Sequence, residues 1–145
     1  DPKTALLACA IVTIWSSVGY DAILLLSGLQ SISKSYYEAA RIDGANSFQQ
    51  FKSITIPLVS PTLFFVLMMR VMASLKGFYI VYMMIEKTNP AIRSCETILY
   101  NFYQETFVKN NKGYGSALVV WCVILIAIIT AVQFIGQKKW VTYDV

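Results

Sequence analysis

Long apolar runs alternate with polar, helix-forming stretches along the 145 residues. A bilayer core about 30 Å thick takes roughly 20 apolar residues as a helix. Three runs meet that length: residues 4–29 (TALLACAIVTIWSSVGYDAILLLSGL), 58–85 (LVSPTLFFVLMMRVMASLKGFYIVYMMI) and 116–137 (SALVVWCVILIAIITAVQFIGQ). The last carries no charge, whereas the first holds Asp21 and the second Arg70 and Lys76. The pattern predicts an all-α, polytopic membrane protein with three transmembrane helices, residues 1–145 forming part of one transmembrane domain.

The stretch 30–57 is polar and helical in character. Glu38, Ala39, Ala40 and Arg41 are good helix formers, and Ser35 followed three residues later by Glu38 fits a capping box. Asp43-Gly44 reads as a stop and turn. A short helix over 47–55 would present Phe48, Phe51 and Ile54 on one face, with Pro57 and Pro61 marking entry into the second span. The connection 86–115 is also polar. Within it, 96–107 reads as an interfacial helix with Leu99, Phe102, Tyr103 and Phe107 on one side, and Gly113, Tyr114 and Gly115 read as the turn before the last span. A basic-aromatic tail, 138–145, follows.

Composition sharpens this picture by exclusion. Apolar residues make up 57% of the chain and charged residues 14%, which leaves too little charge to cover a soluble domain of this size. There is no His, so no His-based catalytic dyad, proton relay or zinc site arises from this chain. The cysteines at 9, 95 and 122 have neither metal-site nor disulfide-framework spacing, and Cys9 and Cys122 read as small core hydrophobes. No basic block points to nucleic acid, and no G-x-x-x-x-G-K-[ST] loop offers a nucleotide site. Asp1-Pro2-Lys3 has no initiator Met and no signal-peptide pattern, so the chain reads as a piece of a longer one. Basic residues do not orient it: Lys34, Arg41, Lys52, Lys138 and Lys139 on one side balance Lys3, Lys87, Arg93, Lys109 and Lys112 on the other.

Residues 36–61 read YYEAARIDGANSFQQFKSITIPLVSP. This resembles the EAA loop of ABC importer permeases of the carbohydrate-uptake type: E-A-A, three residues, Gly, nine residues, then I-x-L-P. Glu38-Ala39-Ala40, Gly44, Ile54 and Pro57 match at that spacing, with Ile56 where Leu is usual. GLQSIS before the loop, PLVSPTLFFVL and GYGSALVV after it, and Lys138, Lys139 and Trp140 resemble the C-terminal half of such a permease. Family members usually have six or more spans. Where they carry a Gly-Gly-Pro-like turn after the second of these spans, this chain has Glu86-Lys87-Thr88-Asn89-Pro90.

The resemblance implies a cytoplasmic coupling helix at about 35–44, docking in a cleft of a separate ATPase subunit. Glu38 would pair with a basic residue there, Ala39, Ala40 and Ala45 would allow close approach, and Asp43 and Gly44 would make the turn, with φ > 0 at the glycine. Phe48 would anchor the loop, together with Phe51, and Pro57 closes the motif. The loop and the tail 138–145 would be cytoplasmic, and 86–115 would face outward toward an extracytoplasmic solute-binding protein. Implied partners are a dimer of ATP-binding subunits, a second permease subunit in a heterodimer and the lipid bilayer. No cofactor is expected on this chain; ATP and Mg belong to the partner ATPase. The implied location is the bacterial inner membrane.

Charge within a span costs about 2.5–3.5 kcal/mol per residue on the insertion scale. Ser17 and Asp21 share a helical face, as do Arg70, Ser74 and Gly77, while Lys76 points elsewhere. By resemblance these six residues are solute-path candidates, with Tyr20 and Tyr79 placed to stack on a sugar ring. Pairing of Asp21 with Arg70 as a structural bridge is the alternative. The expected function is transport of sugars or oligosaccharides without covalent chemistry on this chain. An anionic solute such as a sugar phosphate or uronate is the second reading, favoured by Arg70 and Lys76. A membrane enzyme or assembly factor is a third, for which Ser31-x-x-Lys34 is the sole trace of a catalytic pattern.

Overall fold

Every residue placed in an apolar span must bond its backbone internally, and helices do this within one segment. The computed structural model, which describes residues 2–86, 89–138 and 141, contains helices and no strand among those residues. They are α1 (Pro2–Gln30), α2 (Lys34–Ile42), α3 (Ser47–Gln50), α4 (Ile56–Leu75), α5 (Tyr79–Met84), α6 (Ile98–Tyr103) and α7 (Lys112–Gln137). Two π-helical turns, Phe51–Thr55 and Gln104–Val108, and a 3-10 turn, Pro90–Ser94, complete the order. Three helical stretches are long and apolar enough to cross a membrane: Thr4–Gln30, Ser47–Leu75 and Lys112–Gln137.

The second of these differs from the sequence expectation at both ends. It begins at Ser47, because α3, the π turn and α4 run on as one helix through Pro57 and Pro61. A proline ring clashes with the carbonyl four residues back and removes one helical N–H. Ahead of Pro57 the turn widens, with Ile56 N–H donating to Phe51 O across five residues. At Pro61 the orphaned carbonyl of Pro57 accepts from Ser60 Oγ at 2.6 Å. At the other end the helix stops at Leu75 rather than continuing to 85. Gly77 N–H bonds Ser74 O at 3.3 Å, a tight closure, and α5 starts afresh at Tyr79. Lys76 therefore lies in an exposed turn after the helix.

Several hydroxyls inside the spans bond their own helices, which offsets the cost of an apolar setting. Thr13 Oγ1 donates to Cys9 O (2.7 Å), Ser16 Oγ to Thr13 O (2.9 Å) and Ser116 Oγ to Lys112 O (2.8 Å).

The chain divides into two compact units. The first comprises Asp1–Val18 and Arg70–Ala131. Its core holds Cys9, Val81, Ile85, Ile92, Cys95 and Tyr100. Tyr100 is 1% exposed, and its hydroxyl accepts from Gln104 Nε2 at 2.8 Å. Phe78, Tyr82 and Tyr103 pack as an aromatic cluster with ring centroids 5.2–5.4 Å apart. The region expected to be an interfacial helix, 96–107, thus packs into a core through Tyr100, which the one-sided reading did not select. The turn before α7 is made by Asn110, at φ 56°, and Asn111, whose Oδ1 accepts from Tyr114 N–H (3.3 Å). Gly113, Tyr114 and Gly115, expected as that turn, belong to the first turns of α7.

The second unit comprises Gly19–Met69 and Val132–Val145. Gly28 and Thr62 bring α1 and α4 into close contact: a Cβ at Gly28 would lie 2.5 Å from Thr62 Oγ1. Phe64, buried, meets Phe134 of α7 edge-on at 5.8 Å. Lys87, Thr88, Lys139, Trp140 and residues 142–145, named in the sequence comparison of the outer turn and the tail, lie outside the described residues.

Candidate functional site

The 30–57 segment is held by local hydrogen bonds at each reversal. Ser33, not Ser35, caps α2: its side chain accepts from Ser35 N–H at 3.3 Å, and Tyr36 rather than Glu38 occupies the third helical position. No reciprocal capping box forms there, so Glu38 is exposed and uncommitted to the cap. The box occurs one helix later, where Asn46 Oδ1 accepts from Gln49 N–H and Gln49 Oε1 accepts from Asn46 N–H, both at 2.8 Å.

Between the two caps lies a Schellman turn. Gly44 N–H bonds Arg41 O at 3.1 Å and Ala45 N–H bonds Ala40 O at 2.9 Å. Gly44 has φ +77° and open space around its missing Cβ, so backbone conformation alone demands glycine there. Gln50 Nε2 then donates to Ala45 O at 2.9 Å. One contact spans the whole segment: the hydroxyls of Tyr37 on α2 and Thr55 in the π turn are hydrogen-bonded at 2.9 Å.

These bonds fix the backbone and leave apolar side chains uncovered. No residue of α2 or α3 is buried. Ile42 is 87% exposed and Phe48 73%, on either side of the Gly44 turn. Ala39 and Asp43 are exposed, and Ala40, Ala45 and Pro57 half-buried. Ile42, Tyr37 and Thr55 are the members of this site that sequence reasoning passed over. An isoleucine closing an otherwise polar helix was the available signal for the first; a hydrogen bond across 18 positions left none for the other two.

The intramembrane polar residues fall out differently. Ser17 Oγ donates to Ile14 O at 3.0 Å, so its proton is committed to its own helix. Asp21 and Arg70 are half-buried, and neither they nor Tyr20 are without an interaction partner. Arg70 and Ser74 remain one turn apart on α4, whereas Gly77 lies past its end and so does not extend their stripe. Tyr79 is exposed at the start of α5. Among the described residues no cluster of three or more His, Cys, Asp or Glu could hold a metal ion.

Residues 1–140 match the binding-protein-dependent transport system inner membrane component family. The chain belongs to that family. Its relatives include the trehalose/maltose transport system permease protein MalF of Thermococcus litoralis, 36% identical over 132 residues, covering 90% of this chain and 43% of that protein. Another is the sn-glycerol-3-phosphate transport system permease protein UgpA of Agrobacterium fabrum, 32% identical over 143 residues, covering 99% of this chain and 48% of that one. The chain thus spans about half the length of these curated permeases. A subunit of a bacterial ABC transporter involved in import of the acidic polysaccharide alginate shares the fold, with TM-score 0.76 at 23% identity over 88% of this chain and 44% of that one. This inner-membrane-component chain is accordingly a helical membrane protein of the ABC permease type.

Proposed function

We propose that this chain is part of a permease subunit of a binding-protein-dependent ABC importer for sugars or oligosaccharides, and that 30–57 is the surface on which a separate ATPase subunit docks. The observation that carries this reading is the Gly44 turn, rigid in its backbone yet flanked by uncovered Ile42 and Phe48. Exposed apolar side chains grouped on a fixed scaffold suit a protein interface. Glu38 offers a carboxylate to a basic residue of the partner, and Ala39, Ala40 and Ala45 keep the approach close.

In this reading a solute-binding protein delivers solute at the outer face, near 86–115. ATP and Mg bind the partner subunits, whose closure moves α2. The Tyr37–Thr55 hydrogen bond and the Asn46 cap pass that motion into the continuous helix Ser47–Leu75. A second permease subunit completes the path in the bacterial inner membrane. Arg70 and Ser74 on α4, and Asp21 on α1, are proposed to meet solute polar groups. Transport in this reading makes and breaks no covalent bond on this chain.

A second reading, an anionic solute, is favoured by Arg70 within α4 and by the relative named for sn-glycerol-3-phosphate transport. Competition of uptake by neutral against acidic sugars separates the two. Docking is tested by co-purifying the full-length subunit with its ATPase at equal membrane levels. Gly44→Asp and Glu38→Lys are expected to lose the ATPase that wild type retains. Retention by both variants would sink the docking assignment.

A further inference from the structure

The helical stretch Ser47–Leu75 holds a wide turn with helix on both sides of it. α3 ends in the narrow register, Phe51 N–H donating to Ser47 O, and α4 resumes at Ile56. Between them Ile56 N–H donates to Phe51 O, where an α-helix would use Lys52 O. Phe51–Thr55 thus carries one residue more than α-helical winding needs. The turn Gln104–Val108 is also wide, but it is a helix end: Lys109 N–H bonds Gln104 O at 2.9 Å, and the chain leaves the helix at Asn110, φ 56°.

Proline alone does not dictate the widening at 51–55. Pro61 lies inside α4 without a wide turn, and Ser60 Oγ meets the carbonyl of Pro57 that it orphans. The wide turn differs in what holds it from outside. Thr55, its last residue, is hydrogen-bonded through its hydroxyl to Tyr37 of α2 at 2.9 Å. On its other side the turn carries α3, pinned by the Asn46 box.

We propose that Phe51–Thr55 is a register switch between the docking segment 30–57 and the span that follows it. In the second register the turn narrows to α, and Ile56 N–H moves from Phe51 O to Lys52 O. One backbone bond replaces another, so no hydrogen bond is lost. Relative to α4, α3 turns by about 100° and moves about 1.5 Å along the axis, the step of one residue. With α2 and α3 held by the ATPase, the same slip turns α4 instead. Tyr37 is where the pull enters, because its hydroxyl reaches the turn from a helix with no buried residue of its own. The switch rests on the docking reading of 30–57: without an ATPase there, nothing drives the slip.

The test places nitroxides at Ser47→Cys and Leu63→Cys, either side of the turn, in the full-length subunit with its other cysteines replaced. The subunit is reconstituted with its ATPase in nanodiscs. Both labels sit on one helical stretch, so rigid movement of the span leaves their separation unchanged. Pulsed electron paramagnetic resonance should show that separation lengthen by roughly 4–6 Å when ATP and vanadate trap the ATPase, from one residue's turn and rise. Deletion of Ser53, exposed within the turn, removes the extra residue and leaves both flanks aligned. This variant should still co-purify with the ATPase, show no change of distance, and lose solute uptake while ATP hydrolysis continues. Adding Tyr37→Phe to the deletion should change nothing further. An unchanged distance in the labelled full-length protein, with its ATPase still bound, overturns the switch and leaves the docking reading standing. A change that persists in the deletion variant also overturns it. Failure of the unlabelled subunit to hold any ATPase overturns the docking reading and the switch with it. Should the deletion variant fail to accumulate, the labelled pair decides: lengthening supports the switch and no lengthening overturns it.

Discussion

The two connections between the long helices solve the same problem in opposite ways. Each must reverse the chain and satisfy freed backbone groups. The 31–46 connection does so with local devices: the Ser33 cap, the Schellman turn at Gly44 and the Asn46 box. It buries no side chain, and Ile42 is left almost wholly uncovered. The connection after α5 also uses caps, Asn89 accepting from Ala91 N–H and Thr97 Oγ1 from Tyr100 N–H, but it buries Ala91, Ile92, Cys95 and Tyr100 beneath them. One is stabilised by its own packing. The other is shaped without being packed, which is what a surface awaiting a partner needs.

Substitutions should separate these two designs. The largest effect is expected from Tyr100→Ala, which empties the centre of the packed connection and should cost about 3–5 kcal/mol of stability. It should lower the thermal midpoint of the full-length subunit in detergent while leaving ATPase capture by the remaining folded protein unchanged. Gly28→Val drives a branched side chain into Thr62 and should cost about 1–3 kcal/mol by the same measurement. Gly44→Ala forces a side chain into the left-handed region at about 1–2 kcal/mol, confined to the loop. Its signature is weakened ATPase co-purification with a nearly unchanged midpoint. Tyr37→Phe removes the hydroxyl alone, worth about 0.5–1.5 kcal/mol. It should raise ATP hydrolysed per solute transported in vesicles without releasing the ATPase.

The smallest effect is expected at Lys109. Its amine is fully exposed, and the hydrogen bond to Glu105 at 2.6 Å holds its pKa above the usual lysine value. A raised folded-state pKa gives a contribution that is fully present below the unfolded lysine pKa and lost as pH rises through the raised value. Lys109→Ala should therefore leave the thermal midpoint unchanged and flat across neutral pH. A measurable drop would mean that this surface pair matters more than exposed pairs do.

Much of this was legible in the sequence, and the failures have local causes. The apolar runs announced three spans, and Asp43-Gly44 announced a left-handed turn, because only glycine meets that demand cheaply. Ser33 and Ser35 compete for one cap, and sequence spacing favoured the wrong one since Glu38 made a box pattern with Ser35. Asn46-x-x-Gln49 carried a box signal that went unread beside it. The helix break at Lys76 and Gly77 was hidden because apolar residues continue unbroken beyond it, so hydropathy alone ran two helices into one. Tyr100 was missed because tyrosine among polar neighbours suits an interface as well as a core. The pairing of Tyr37 with Thr55 depends on tertiary structure and has no local signature.

The uncovered apolar residues beside Gly44 are proposed to be a docking surface for the ATPase, and similar exposure in the other connection is not. Phe48 and Phe107 are 73% and 68% exposed, one in each region. Photoreactive benzoylphenylalanine at either position, in the full-length subunit with its ATPase, compares them at similar exposure. Cross-linking to the ATPase from position 48 and none from position 107 is the predicted result. Cross-linking from 107 and none from 48 would contradict the account.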